Sequence, residues 1–152
     1  MKLFGHPIHP LLVHFPTALL PMDLLLSVLH YTRNNESFGL AGFYCLSAGI
    51  LAGLLAIITG VADLLSIPKN SKAAWAQGLY HGAINTTIIL VFAALAYKAW
   101  QAYPTMQTTV GTLILKGILV SGLFVGNYLG GQLIYKYFIG IELKHTAHGS
   151  TV

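Results

Sequence analysis

Near the amino terminus, the stretch "GHPIHPLLVHFPTALL" holds three histidines, His6, His9 and His14, and three prolines, Pro7, Pro10 and Pro16. An apolar run follows directly. An imidazole at such a boundary costs free energy unless something bonds it. Neutral imidazole is also the commonest nitrogen ligand for iron, copper and zinc. Further along lie Asp63, at the end of a second apolar run, and His81, at the opening of a third. These residue types suit a cofactor or metal centre better than acid–base catalysis. There is no Ser/His/Asp arrangement at useful spacing, no HExxH, no glycine-rich phosphate loop and no paired carboxylates. Four acidic residues in all leave little to build such an enzyme from.

Three readings of the histidines compete. In the first, two imidazoles from different helices clamp the iron of haem b. His14 with His81 is the expected axial pair, His9 substitutes for His14, and Asp63 orients a ligand by accepting its other ring N–H. In the second, His6, His9, Asp63 and His81 hold a single transition-metal ion. In the third, no cofactor is bound, and the imidazoles bond headgroups or one another. A series of glycines adds a related ambiguity. Gly49 and Gly53, then Gly122, Gly126 and Gly130, recur every four residues. That spacing lets helix backbones approach closely. Gly126 and Gly130 also offer a flat groove to a planar cofactor.

These residues need elements to hold them, and the composition says which. Only 8% of the 152 residues are charged, where about 25% is usual in soluble domains, and the mean hydropathy is +0.70. Four apolar stretches each approach the roughly 20 residues that cross a bilayer core as a helix. The expected fold is an all-α, four-helix transmembrane bundle forming one domain over 1–152, with both termini on the same side. Helices are expected at about 10–30, 40–65, 79–102 and 109–138, followed by a polar tail at 142–152. Pro10 suits a first helical turn, and Pro16 and Pro21 bend the first helix. No secretory signal is evident. Cys45 reads as a small core residue and His30 as an interfacial loop residue. Lys116 is expected to snorkel toward its helix end. Asp23, deep in the first helix with no obvious basic partner, is expected to be protonated or to pair with a hydroxyl or an amide such as Asn85, with a proton-relay role as the alternative. Beyond the loose recurrence of helices, no internal repeat is seen. The up-and-down topology gathers His6, His9, His14, Asp63, His81, His145 and His148 at one membrane face. A lysine and arginine count of five there against three opposite favours the cytoplasm for that face.

The segments "GHPIHPLLVHFPTALL", "GVADLLSIP", "LYHGAIN" and "GNYLGGQLIYKYFIGI" together resemble a family of bacterial membrane proteins, domain of unknown function 2231. The resemblance runs over nearly the whole chain. It implies a four-helix membrane domain and no settled activity. The positions it marks are His6, Pro7, His9, Pro10, Asp63, His81, Gly130, Gly131 and Tyr135. Relatives occur fused to, or beside, c-type cytochrome domains, which favours electron transfer. The place of His14 is often not histidine in the family, which favours His6 or His9 with His81 and Asp63. The resulting expectation is a small multipass electron-transfer or accessory subunit of the bacterial plasma membrane. Its partners are the lipid bilayer, a cytochrome or other redox protein, and a second copy as a candidate homo-oligomer. Nucleic acid is excluded. The alternative is a non-catalytic assembly or interaction module.

Overall fold

The computed structural model of the chain describes residues 2–3 and 6–139. The His6 side chain, Glu142, His145 and His148 lie outside the described residues. A short antiparallel ladder, β1 (Lys2–Leu3) against β2 (His6–Pro7), precedes the helices. Four helices follow: α1 (Ile8–Arg33), α2 (Glu36–Leu65), α3 (Lys72–Ala102) and α4 (Val110–Tyr135). All four are long and apolar enough to cross a membrane.

Two helix starts differ from expectation in ways that move the histidines. α1 begins at Ile8, because Pro10 fits inside a first turn where no N–H is needed. His9 therefore sits on regular helix. α3 begins at Lys72, since "KAAWAQG" is rich in good helix formers. His81 then lies nine residues in, roughly 13 Å along the axis. The α1–α2 connection shrinks to Asn34, in the left-handed conformation (φ 47°), and Asn35, whose side chain accepts the Ser37 N–H as a helix cap.

The helices form a closed square in chain order, with the α1–α2 and α3–α4 hairpins the most closely packed. Leu20, Leu46, Ile50, Ile88, Ile89, Phe92, Leu119, Val120 and Leu123 make the core. The outward faces carry exposed Leu51, Ile58, Leu90, Ile114, Ile118 and Phe124, as lipid contact requires. Glycines set the spacing. Leu20 packs on Gly49, Ile89 on Gly53 and Ile88 on Gly122, each so closely that an added Cβ would come within 3.2 Å of it.

Burial follows a repeat that the sequence hid. Leu20 and Phe92 are both fully buried, and Pro16 with Ile88 and Ile50 with Val120 are buried too, each pair at corresponding turns of the two hairpins. Leu46 of α2 likewise corresponds to Lys116 of α4.

Lys116 does not snorkel. It is buried, and its Nζ donates to Asp23 Oδ1 at 2.7 Å and to Ser27 Oγ at 2.8 Å. Asp23 thus has a basic partner, 93 residues away in sequence, and Asn85 is occupied elsewhere. The two residues are on separate spans, and only the closing of the square brings them together. His30 is buried rather than interfacial. Its Nδ1 lies 3.0 Å from the Asn35 carbonyl and its Nε2 3.1 Å from the Met106 carbonyl. The ring therefore lies between a carbonyl of the α1–α2 turn and one of the α3–α4 turn, where Glu36 also accepts the Met106 N–H. Phe43, Tyr44, Trp100 and Tyr103 form an aromatic cluster at that same end.

Breaking one member of a buried pair leaves an uncompensated charge, a cost of about 3–5 kcal/mol. Lys116→Leu alone is expected to lower the unfolding midpoint of the detergent-solubilised protein sharply. Asp23→Leu with Lys116→Leu is expected to return it to the wild-type value or above, as read by thermal or denaturant unfolding.

Candidate functional site

His9, in the first turn of α1, faces His81 of α3. Their ring centres are 6.1 Å apart, with the planes at 85°. Each ring is fixed in the same way. His9 Nδ1 donates to the carbonyl of Ala56 on α2 at 2.8 Å. His81 Nδ1 donates to the carbonyl of Gly126 on α4 at 2.8 Å. A carbonyl only accepts, so each Nδ1 carries the proton, and in the neutral ring each Nε2 keeps a bare lone pair.

The close approach depends on missing side chains. A Cβ at Gly60 would stand 2.9 Å from His9 Cε1, and one at Gly130 would stand 2.7 Å from His81 Cε1. In both hairpins the glycine lies one turn beyond the accepting carbonyl. Histidine, accepting carbonyl and bare glycine therefore recur: His9, Ala56 and Gly60 in one hairpin, His81, Gly126 and Gly130 in the other. Gly126 also makes room for Asn85, whose amide would be 2.5 Å from an added Cβ. Asn85 Nδ2 donates to the His81 carbonyl at 2.9 Å, bracing the turn that presents the ring. Thr59 Oγ1 lies 3.5 Å from His9 Nδ1 and donates to the same Ala56 carbonyl. Asn127 Nδ2 donates to Thr17 Oγ1 at 3.1 Å, and Gln77 Nε2 to Gln132 Oε1 at 2.9 Å, closing the α4–α1 and α3–α4 seams nearby.

Of the residues singled out in the sequence, the structure brings His9, His81, Gly126 and Gly130 together. His14 is exposed on α1, and it is His9 whose ring meets His81. Asp63 is half-buried at the last turn of α2 and is itself engaged. His6 as a metal ligand falls on a side chain outside the described residues. Among the described residues no group of three or more His, Cys, Asp or Glu side chains is placed to hold a metal ion. Gly126 and Gly130 seat His81 and Asn85, so the close-packing role of that glycine series is visible in the contacts. Ala56, Gly60 and Asn85 were not anticipated as site residues. The signal for Gly60 was present in its place one turn before Asp63, echoing Gly130 opposite His81.

The chain belongs to the family described as predicted membrane protein, DUF2231, which matches residues 5–143. With the four apolar spans, this makes it an integral membrane protein. No curated protein and no solved structure matches it.

The carbonyl bonds fix one tautomer for both rings. Nitrogen NMR of protein with isotope-labelled histidine, under conditions where the rings are neutral, is expected to show His9 and His81 protonated at Nδ1 and bare at Nε2. Gly130→Val, which fills the seat of His81, is expected to remove that signature for His81 and leave it for His9.

Proposed function

We propose that this member of the family uses His9 and His81 as a paired imidazole site for haem b, with a single transition-metal ion as the other occupant, and serves as a small electron-transfer subunit of a bacterial plasma membrane. The observation that carries the proposal is the facing of two carbonyl-tied imidazoles from different hairpins. The two rings, edge to face at a centre separation of 6.1 Å, are near enough for their nitrogens to share one bound group. Tying Nδ1 to a backbone carbonyl is the usual way a ligating histidine is oriented and made more basic. His9 and His81 would hold such a group, which would supply one-electron chemistry at a potential tuned by its ligands. The chain supplies two nitrogens in a fixed tautomer, a glycine seat behind each ring and a low-dielectric surround. His14 is no longer needed as a ligand, and His9 takes the role first assigned to it. With Lys116 buried, Arg33 and Lys98 alone remain at the opposite end, which strengthens the case for the histidine end facing the cytoplasm. A cytochrome or other redox protein is the fitting partner.

A second reading draws on the same bonds. Two histidines already bonded to backbone carbonyls also serve as staples between helices, and the protein is then a cofactor-free assembly module. The test is optical. Purified protein is expected to show a Soret band that shifts on reduction. His9→Ala and His81→Ala are each expected to abolish it, and His14→Ala to retain it. A colourless preparation with no metal by elemental analysis leaves only the staple reading.

A further inference from the structure

A cavity of about 90 Å³ lies at the end of the bundle away from His9 and His81, with Asp23, Ser27 and Lys116 among its walls. It has room for roughly three waters at about 30 Å³ each. Thr108, Thr109 and Thr112 of the α3–α4 turn and the start of α4 line it too, as does exposed Lys98. Asp23 is 1% exposed. Its Oδ1 is taken by Lys116, but Oδ2 has no hydrogen-bond partner among the described residues. A buried carboxylate oxygen left without a donor is expensive, and ionisable groups at this depth mark ion or proton pathways.

We propose that Asp23 Oδ2 is a proton-accepting site at the inner end of a water-filled half-channel that opens at the α3–α4 turn. A hydronium ion in the cavity gives its proton to Oδ2 and becomes water. The Asp23–Lys116 pair then passes from net zero to one positive charge, and release is the reverse transfer. Lys116 of α4 is the charge closest to the carboxylate, and Lys98 of α3 is the other charge on the cavity wall. α1 contributes Ser27, while α2 contributes Gly39, Phe43 and Leu46, with no titratable group on the cavity wall. The wall is asymmetric in a telling way. Leu95 and Leu46, the counterparts of Asp23 and Lys116 in the repeat, line the same cavity. The polar pair thus replaces two leucines at an otherwise apolar position. The proposal is independent of any cofactor at the histidine end.

The test uses the full chain in lipid nanodiscs, acidified under infrared difference spectroscopy in water and in heavy water. A protonated-carboxyl band that shifts in heavy water and is lost in Asp23→Asn is expected. Should Asp23→Asn not fold, carbon-13 aspartate in Asp63→Asn protein assigns the band with the pair intact, since Asp23 is then the only aspartate. Access is read separately in a Cys45→Ala background with a membrane-impermeant thiosulfonate. Ser27→Cys is expected to react from the same side as exposed Gln107→Cys. Absence of a band assignable to Asp23, a band that does not exchange, or an unreactive Ser27→Cys beside a reactive Gln107→Cys overturns the proposal.

Discussion

The histidine end of this bundle rests on a donor reaching a helix backbone that is already hydrogen-bonded to itself. A helical carbonyl keeps a second lone pair, but side chains normally screen it. At Gly60 and Gly130 that screen is absent, and an imidazole lies flat enough on the opposite helix to reach the carbonyl one turn back. The bond satisfies a polar ring inside an apolar layer, fixes its tautomer and sets the distance between two helices. Removing the glycine or the ring disturbs all three together.

The two halves of the bundle solve the same problem with different chemistry. At the histidine end, imidazoles bond to main-chain oxygen. Toward the other end, a charged pair bonds across α1 and α4, and His30 lies between the carbonyls of two turns. Between them lies a layer of leucine, isoleucine, valine and phenylalanine. Few charges are present, and those inside are matched to a partner on another helix. Such long-range matching favours the closed square over other arrangements of four apolar helices, because it leaves no buried charge unopposed only when α1 meets α4.

Much of the fold was legible in the sequence because membrane spans announce themselves by length and hydropathy. The clustering of His9 and His81 followed from alternating helix direction alone. Finer placement was not legible. Which of His9 and His14 turns inward depends on where α1 begins, and Pro10 inside the first turn moved that start by two residues. The partnership of Asp23 and Lys116 spans nearly two-thirds of the chain and has no local signature. Gly60 went unremarked because its meaning depends on a ring delivered from another helix. The repeat was hidden because, beyond His9 with His81 and Gly60 with Gly130, its equivalent positions agree more in burial than in identity, as Leu20 with Phe92 and Leu46 with Lys116 show.

The recurrence of ring, carbonyl and glycine has an architectural consequence. α1 and α3 run in the same direction, so the two hairpins present their histidines at the same end of the bundle. His9 and His81 meet there edge to face, each tied to the second helix of its own hairpin. The equivalence of the halves ends at Asp23 and Lys116, where the matching positions hold Leu95 and Leu46.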